Sequence, residues 1–383
     1  MIRWKQGWTG WLPMAVLAGW LAGPDAAPAA TFSLDYRADG ESAGFSLPLG
    51  GSEVRFAKEP EYVGKKIVRS ALYVAPGKQA FIGFACDSEG DTLYLDLNRN
   101  LDLTDDPEGV IRADGEGWGS SFENVAIPIE QDGRRRDMVA DFRIRGDRWG
   151  RYEVKSSWES PSVVLGDQMF RVAVVDDGDG VITEADTLWL EPIDEFRDEG
   201  DDRDKVELKA PATLVLDGVS HVLTYALDEE GKTLALSIEP GEAPLVGVEL
   251  AGQGVERLAM QDGASAAVFF GPGAAIQVPA GHYHSEVRVR IGDGPRASSW
   301  EARRVSLRVR DDGQPVSWRV GGPIVSALTH SMAGNRISFK QATTGAGGEA
   351  YSLASSSGGA LGKPKVRIQQ DGEVIHVGEF EYG

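Results

Sequence analysis

A single cysteine, Cys86, is found in 383 residues. One thiol makes no internal disulfide, so the chain has to hold its loops by packing or by some other clip. Cys86 lies in the apolar run Ala80-Phe81-Ile82-Gly83-Phe84-Ala85, which reads as a buried strand, and free cysteine in such a run is core and not a nucleophile. Histidine is also scarce, with five. There is no H-E-x-x-H, no G-x-S-x-G, no C-x-x-C and no G-x-x-x-x-G-K-[ST], so no motif marks a metalloprotease, a nucleophile elbow, a redox pair or a phosphate loop. His282 and His284 sit at i, i+2 and would share one face of a strand, but no third ligand accompanies them. Basic charge is short as well: 39 Lys and Arg stand against 59 Asp and Glu, a net charge of −20. Phosphate backbones and anionic membranes repel such a chain, which excludes nucleic acid as a partner. No segment keeps helical spacing, and beyond the N-terminus no apolar run is long enough to span a bilayer.

What is present begins with a secretory layout. Arg3 and Lys5 precede the apolar stretch Trp11 to Gly23, and Ala27-Pro28-Ala29 fits the A-x-A cleavage rule. The stretch of about 13 residues is shorter than the roughly 20 of a spanning helix, and Pro13 interrupts it. Residues 1–29 are therefore expected to be a signal peptide, no cysteine offers a lipid anchor, and the mature chain is expected in the periplasm or outside the cell with no membrane span. Strict alternation then dominates, as in Val287-Arg288-Val289-Arg290-Ile291, Val305-Ser306-Leu307-Arg308-Val309-Arg310 and Val366-Arg367-Ile368. Turn signals punctuate it: Asp132-Gly133, Asp217-Gly218, Asp262-Gly263, Asp312-Gly313 and Asp371-Gly372. The expected class is all-β. A β-rich domain spans 30–239, a Pro/Gly-containing linker 240–244, and a β-sandwich 245–383. Within the first domain, Phe81 to Asp87 aligns with Phe170 to Asp176, and Asp91-Thr92-Leu93-Tyr94-Leu95-Asp96 with Asp186-Thr187-Leu188-Trp189-Leu190-Glu191. That pattern is a repeated hairpin with acidic ends. The acid-dense stretch after Pro192 reads as a solvated loop, and the Gly/Ser-rich stretch 345–362 as a flexible one.

Two segments carry candidate ligands. In the first, Asp96, Asn98, Asn100, Asp102 and Thr104 place an oxygen on every second residue, and Asp105 or Asp106 could close the set, of which we take Asp106. Calcium takes six to eight oxygens, about 2.3–2.6 Å away, from a loop able to curl round the ion. In the second, Asp176, Asp177, Asp179, Thr183 and Asp186 flank Gly178 and Gly180. With Gly180 at the sixth position of a calcium loop, Asp177, Asp179, Thr183 and Asp186 fall at the third, fifth, ninth and twelfth, while Asp176 has to shift by one to serve as the first. Packed carboxylates repel one another unless protonated or neutralised, so a divalent ion here would act as a folding ligand in place of a disulfide.

Both segments resemble the EF-hand and dockerin type of calcium loop, D-x-[DN]-x-[DN]. The first departs from it with Leu101 where the family has glycine and Pro107 where it has an acid, and neither has flanking helices. Val278-Pro279-Ala280-Gly281-His282-Tyr283 resembles the turn of carboxypeptidase-regulatory-like and immunoglobulin-like sandwiches, which implies a binding or spacer module. The chain as a whole is similar to exported bacterial β-rich proteins with such loops. The function expected is an exported, non-enzymatic binding or structural protein with calcium bound, facing an extracellular or cell-envelope ligand, polysaccharide among them. The alternative from another class is a secreted polysaccharide hydrolase using carboxylates of 87–204. Trp118, Trp149 and Trp158 could stack on sugars, although core packing is the commoner use of tryptophan.

Overall fold

Alternating side chains and Asp-Gly turns are realised as a succession of strands in a computed structural model. It describes residues 29–379 apart from 48, 50–53, 75–79, 114–118, 132, 146–148, 194–204, 229–232, 293–297, 335, 357–364 and 371. The signal segment, Trp118, most of the acidic stretch after Pro192 and the later part of the Gly/Ser-rich stretch lie outside the described residues. The strands are β1 Ala30–Arg37, β2 Ala43–Ser46, β3 Ile67–Val74, β4 Ala80–Asp87, β5 Thr92–Leu95, β6 Val110–Arg112, β7 Ser120–Gln131, β8 Arg134–Arg145 and β9 Trp149–Val154. Next come β10 Ser157–Leu165, β11 Gln168–Val175, β12 Thr187–Pro192, β13 Val206–Lys209, β14 Ala212–Leu216, β15 Val219–Leu227, β16 Thr233–Pro240, β17 Leu245–Leu250, β18 Val255–Gln261 and β19 Ser265–Phe270. The last are β20 Ala275–Pro279, β21 Gly281–Ile291, β22 Ser298–Val309, β23 Val316–Trp318, β24 Val325–Ala333, β25 Arg336–Thr344, β26 Ser352–Ser356, β27 Lys365–Gln370 and β28 Glu373–Glu379. The fold is all-β. Among the described residues the one helical element is a single 3-10 turn at Pro107–Gly109, and no helix is long and apolar enough to cross a membrane.

Three hydrophobic cores organise these strands. In the first, the sheet β3-β4-β5-β6 faces the sheet β2-β9-β8-β7. Phe84, Ile82 and Leu93 meet Phe122, Ile127 and Phe142 between them, with the Phe84 and Phe142 rings 6.4 Å apart. Each such side chain, fully removed from water, contributes roughly 1.5–3 kcal/mol. Cys86 sits in this core, and burial pushes its thiol up to about 11, so it stays protonated.

The second core lies inside the curl of a large sheet of order β13-β12-β11-β10-β1-β16-β15-β14-β19-β18-β21-β22-β26. Its edge strand β13 returns to the β18–β19 hairpin, where Lys209 N–H donates to the Gly263 carbonyl and Glu207 N–H to Gln261 Oε1. Leu34, Trp158, Phe170, Leu190, Leu214 and Leu236 fill the enclosed space. Trp158 is therefore a core residue.

The third core is a two-layer sandwich. The sheet β20-β17-β23 covers β19, β18, β21 and β22, with Val248, Val278 and Trp318 set against Met260, Tyr283 and Val287. Strands on both sides of 240–244 are hydrogen-bonded into the one large sheet. The β24–β25 hairpin stands clear of the cores, with every residue of β24 exposed.

The repeated hairpin of the sequence corresponds to β4–β5 and β11–β12, with Cys86 opposite Leu93 in one and Val175 opposite Thr187 in the other. The two acidic loops nevertheless occupy different places. Residues 96–106 follow the second strand of the first hairpin, whereas 176–186 connect the two strands of the second.

Candidate metal centre

The loop 176–186 is wedged between the first two cores. Val181 packs into the first and Ile182 into the second, at 2 % and 7 % exposure. Gly180 has φ +79°, and a Cβ there would come within 2.6 Å of the Ile129 side chain, so glycine is required on both counts. The carboxylates fold the loop around themselves. Asp176 Oδ1 accepts from the N–H groups of Gly178 at 2.8 Å and Gly180 at 2.9 Å. Asp176 thus ties back to the amides two and four residues on. Asp177 and Asp179 accept from the amides two residues on, at 3.3 and 2.8 Å. Asp186 closes the loop, with Oδ1 accepting from Asp177 N–H and Oδ2 from Thr183 N–H, both at 2.7 Å.

Side chains from distant strands fasten this loop. Gln131 of β7 grips Ile182 from both sides, donating to its carbonyl at 2.9 Å and accepting from its N–H at 3.0 Å. Tyr152 of β9 donates to the Gly178 carbonyl at 3.0 Å, and Tyr225 of β15 to the Thr183 carbonyl at 2.7 Å. Burial raises both phenols well above their ordinary range, so they are neutral donors. Arg136 of β8 donates to the Gly180 carbonyl, lies 3.7 Å from Asp176 Oδ2, and has its guanidinium 4.5 Å from the Trp158 ring centroid.

Ligand atoms of Asp176, Asp177 and Asp179 lie within 4.8 Å of one another, the only such group of three or more His, Cys, Asp or Glu among the described residues. Burial pushes the Asp176 carboxyl up, against the Gly180 amide and the Arg136 guanidinium, which pull it down. Burial and then the Asp176 charge push Asp186 up to about 8. Thr183 contributes its hydroxyl to Ala185 N–H at 3.1 Å and not to the acid cluster.

The loop 96–106 is more open and more local. Asp96 is 0 % exposed, and its two oxygens accept from Asn100 and Leu101 N–H, each at 3.0 Å. Asn98 Oδ1 then accepts from Asn100 N–H, Asn100 Oδ1 from Asp102 N–H, and Asp102 Oδ1 from Thr104 N–H and hydroxyl. Alternate side chains turn back onto the chain in a spiral of Asx turns, the arrangement that alternate oxygens in the sequence suggest. Leu101, at the position where the loop family has glycine, adopts the left-handed conformation with φ +66°, and Arg99 does the same with φ +61°.

Asp105 and Asp106 divide the closing role. Asp105 accepts the side-chain amides of Asn98 at 3.0 Å and Asn100 at 2.7 Å. Asp106 folds back on the start of the loop, accepting from the Leu97 and Asn98 amides, and is 8 % exposed. Its Oδ2 is buried with no hydrogen-bond partner. Burial and the charges of Asp96 and Asp105 push this carboxyl up. Lys58, an exposed cation, lies 3.5 Å from Asp102 Oδ2.

A cleft of about 490 Å³ opens beside this loop, lined by Asp106, Glu108, Glu130, Arg99 and Arg135 with Leu97, Pro107 and Pro128. His282 and His284 are both exposed, with ring centroids 5.7 Å apart. The sequence reading missed Arg136, Gln131, Tyr152 and Tyr225, which reach the second loop from more than twenty residues away. One signal pointed to Arg136: the run Arg134-Arg135-Arg136 stands out in so acidic a chain. No known protein family, curated protein or solved structure matches this chain.

Proposed function

We propose that this protein is an exported β scaffold of the periplasm or cell exterior, a binding or structural protein and not an enzyme, with calcium bound at its Asp/Asn-rich loops as a folding ligand. Asp106 carries this reading. Its Oδ2 is buried without a donor inside a loop that also buries Asp96, and the two charges oppose each other. A buried carboxylate oxygen without a donor is costly, and a divalent ion between oxygens is the neutraliser that such a loop suits. The described lining of the adjoining cleft holds no aromatic ring, which favours the scaffold reading over a polysaccharide hydrolase with a stacking platform. The partner proposed is an extracellular or cell-envelope ligand, polysaccharide included.

Extracellular calcium modules bind with Kd of about 10⁻⁴ to 10⁻³ M, and tenfold excess over Kd stabilises by about 1.4 kcal/mol per site. For a chain of this size that is a rise in Tm of a few degrees. The test compares thermal melting of the mature chain in calcium chloride and in chelator, alongside Asp106→Asn and Asp102→Ala. The expected result is a calcium-dependent rise in the parent that Asp106→Asn abolishes. Equal melting in calcium and chelator sinks the calcium reading and reopens the acidic loops to the hydrolase alternative.

A further inference from the structure

We infer that the two acidic loops are neutralised by different cations: calcium serves only the loop 96–106, and in the loop 176–186 the Arg136 guanidinium occupies the place a metal would take. The first half of this statement rests on the calcium reading above, and the second half stands on its own geometry.

Arg136 lies 3.7 Å from one carboxylate oxygen of the acid cluster, Asp176 Oδ2, and donates to the Gly180 carbonyl inside the same loop. It is held there. Its side chain is 17 % exposed, and its guanidinium lies over the ring of Trp158, itself 1 % exposed in the core of the curled sheet. Burial pulls the Arg136 pKa down and the charge of Asp176 pulls it back up, and a guanidinium starts so high that it keeps its charge across the ordinary pH range. A calcium ion at bonding distance from Asp176 would lie within a few ångströms of that charge, in surroundings where little water screens the repulsion. Both oxygens of the closing acid, Asp186, accept backbone amides at 2.7 Å.

The loop 96–106 has the opposite character. Asp106 keeps a buried oxygen with no donor, and the cations around the loop are exposed: Lys58, 64 % exposed, contacts Asp102, while Arg99 and Arg135 line the open cleft that Asp106 also lines. A protein cation fills one loop and leaves the other with an unmatched carboxylate.

The experiment is calorimetric titration of the mature chain with calcium chloride, run with chelator-stripped protein and paired with thermal melting. The parent is expected to bind one calcium ion. Asp176→Asn is expected to keep that stoichiometry and affinity, and Asp106→Asn to lose the ion. Arg136→Gln removes the internal cation while keeping a polar group of similar reach. It is expected to bind a second calcium ion and to show a larger calcium-dependent rise in Tm than the parent. Two ions in the parent, or loss of its calcium response on Asp176→Asn, overturns the inference. The Asp176→Asn arm decides the matter even if Arg136→Gln fails to fold. If the parent binds no calcium at all, the first half fails with the calcium reading, and the second half is decided by Arg136→Gln: a calcium response gained there supports it, and none overturns it.

Discussion

The loops 96–106 and 176–186 have nearly the same ingredients, and the chain treats them in opposite ways. Both begin with a buried aspartate that ties back to the amide four residues on, Asp96 to Asn100 at 3.0 Å and Asp176 to Gly180 at 2.9 Å. After that they diverge. The first loop satisfies its polar side chains mostly from within, through Asx turns and the amide contacts to Asp105, and is tied from outside by backbone bonds to Ala57 and Lys58. The second is gripped from β7, β8, β9 and β15, and its apolar pair Val181 and Ile182 joins two cores. Acid content therefore does not say how a loop is neutralised; burial does. A loop beside an open cleft, as that of Asp106 is, leaves even a buried carboxylate within reach of a soluble ion. A loop between two cores has to carry its own cation, because a buried carboxylate without one destabilises the fold.

The largest test of that contrast is pH. Asp186 titrates near 8 in the fold against an ordinary value of 3.8, raised by burial and by the charge of Asp176, with Asp177 adding to it. Over this interval the folded chain holds a proton that the unfolded chain has released, so stability falls as pH rises and levels off above about 8. His221 is pushed the other way by burial, from an ordinary 6.5, so the slope is cleanest above that pH, where its imidazole is neutral in both states. In chelator, denaturant unfolding is expected to lose on the order of 2 kcal/mol between about pH 6.5 and 8.5. Asp186→Asn should flatten this slope. If Asp106→Asn flattens it instead, the electrostatic strain lies in the outer loop and the contrast is reversed.

Gln131→Ala is a cut of similar size and more local. It removes both bonds to Ile182 and leaves a buried N–H and carbonyl without partners, at an expected cost of about 1–3 kcal/mol. Amide hydrogen exchange sharpens the reading. The Ile182 amide should lose protection while the Leu101 amide, bonded within its own loop to Asp96, keeps it. Equal loss at both would mean that the loops open together and are one unit.

Much of this was legible in the chain. Alternation gives the strands, and Gly133, Gly218, Gly263, Gly313 and Gly372, the glycines of the Asp-Gly turns named above, adopt positive φ. The spiral of the first loop also follows from sequence, because every bond in it spans a few residues and Asp, Asn and Thr favour such turns. The return of β13 to the β18–β19 hairpin leaves no local trace, since Lys209 and Gly263 meet only once the sheet has curled. The grip on the second loop is equally hidden. Gln131 lies 51 residues from Ile182, and Tyr225 lies 42 from Thr183, so both contacts are fixed by packing and not by motif. Composition shows that the acids need a counter-ion and cannot show that a residue on β8 supplies it.

The smallest effect concerns backbone strain in the outer loop. Arg99 is exposed and sits at φ +61°, a region that costs a residue with a Cβ about 1 kcal/mol or more. Arg99→Gly removes that strain and gives back part of it as lost entropy of the unfolded chain. A net gain of about 0.5 kcal/mol is expected, a rise in Tm of about 1–2 °C. Because Arg99 also lines the cleft beside Asp106, the same variant asks whether its charge matters to the loop. If only strain is relieved, the gain is the same in calcium and in chelator. If the guanidinium also repels an incoming ion, the gain is larger in calcium, and the outer loop then resembles the inner one more than its geometry implies.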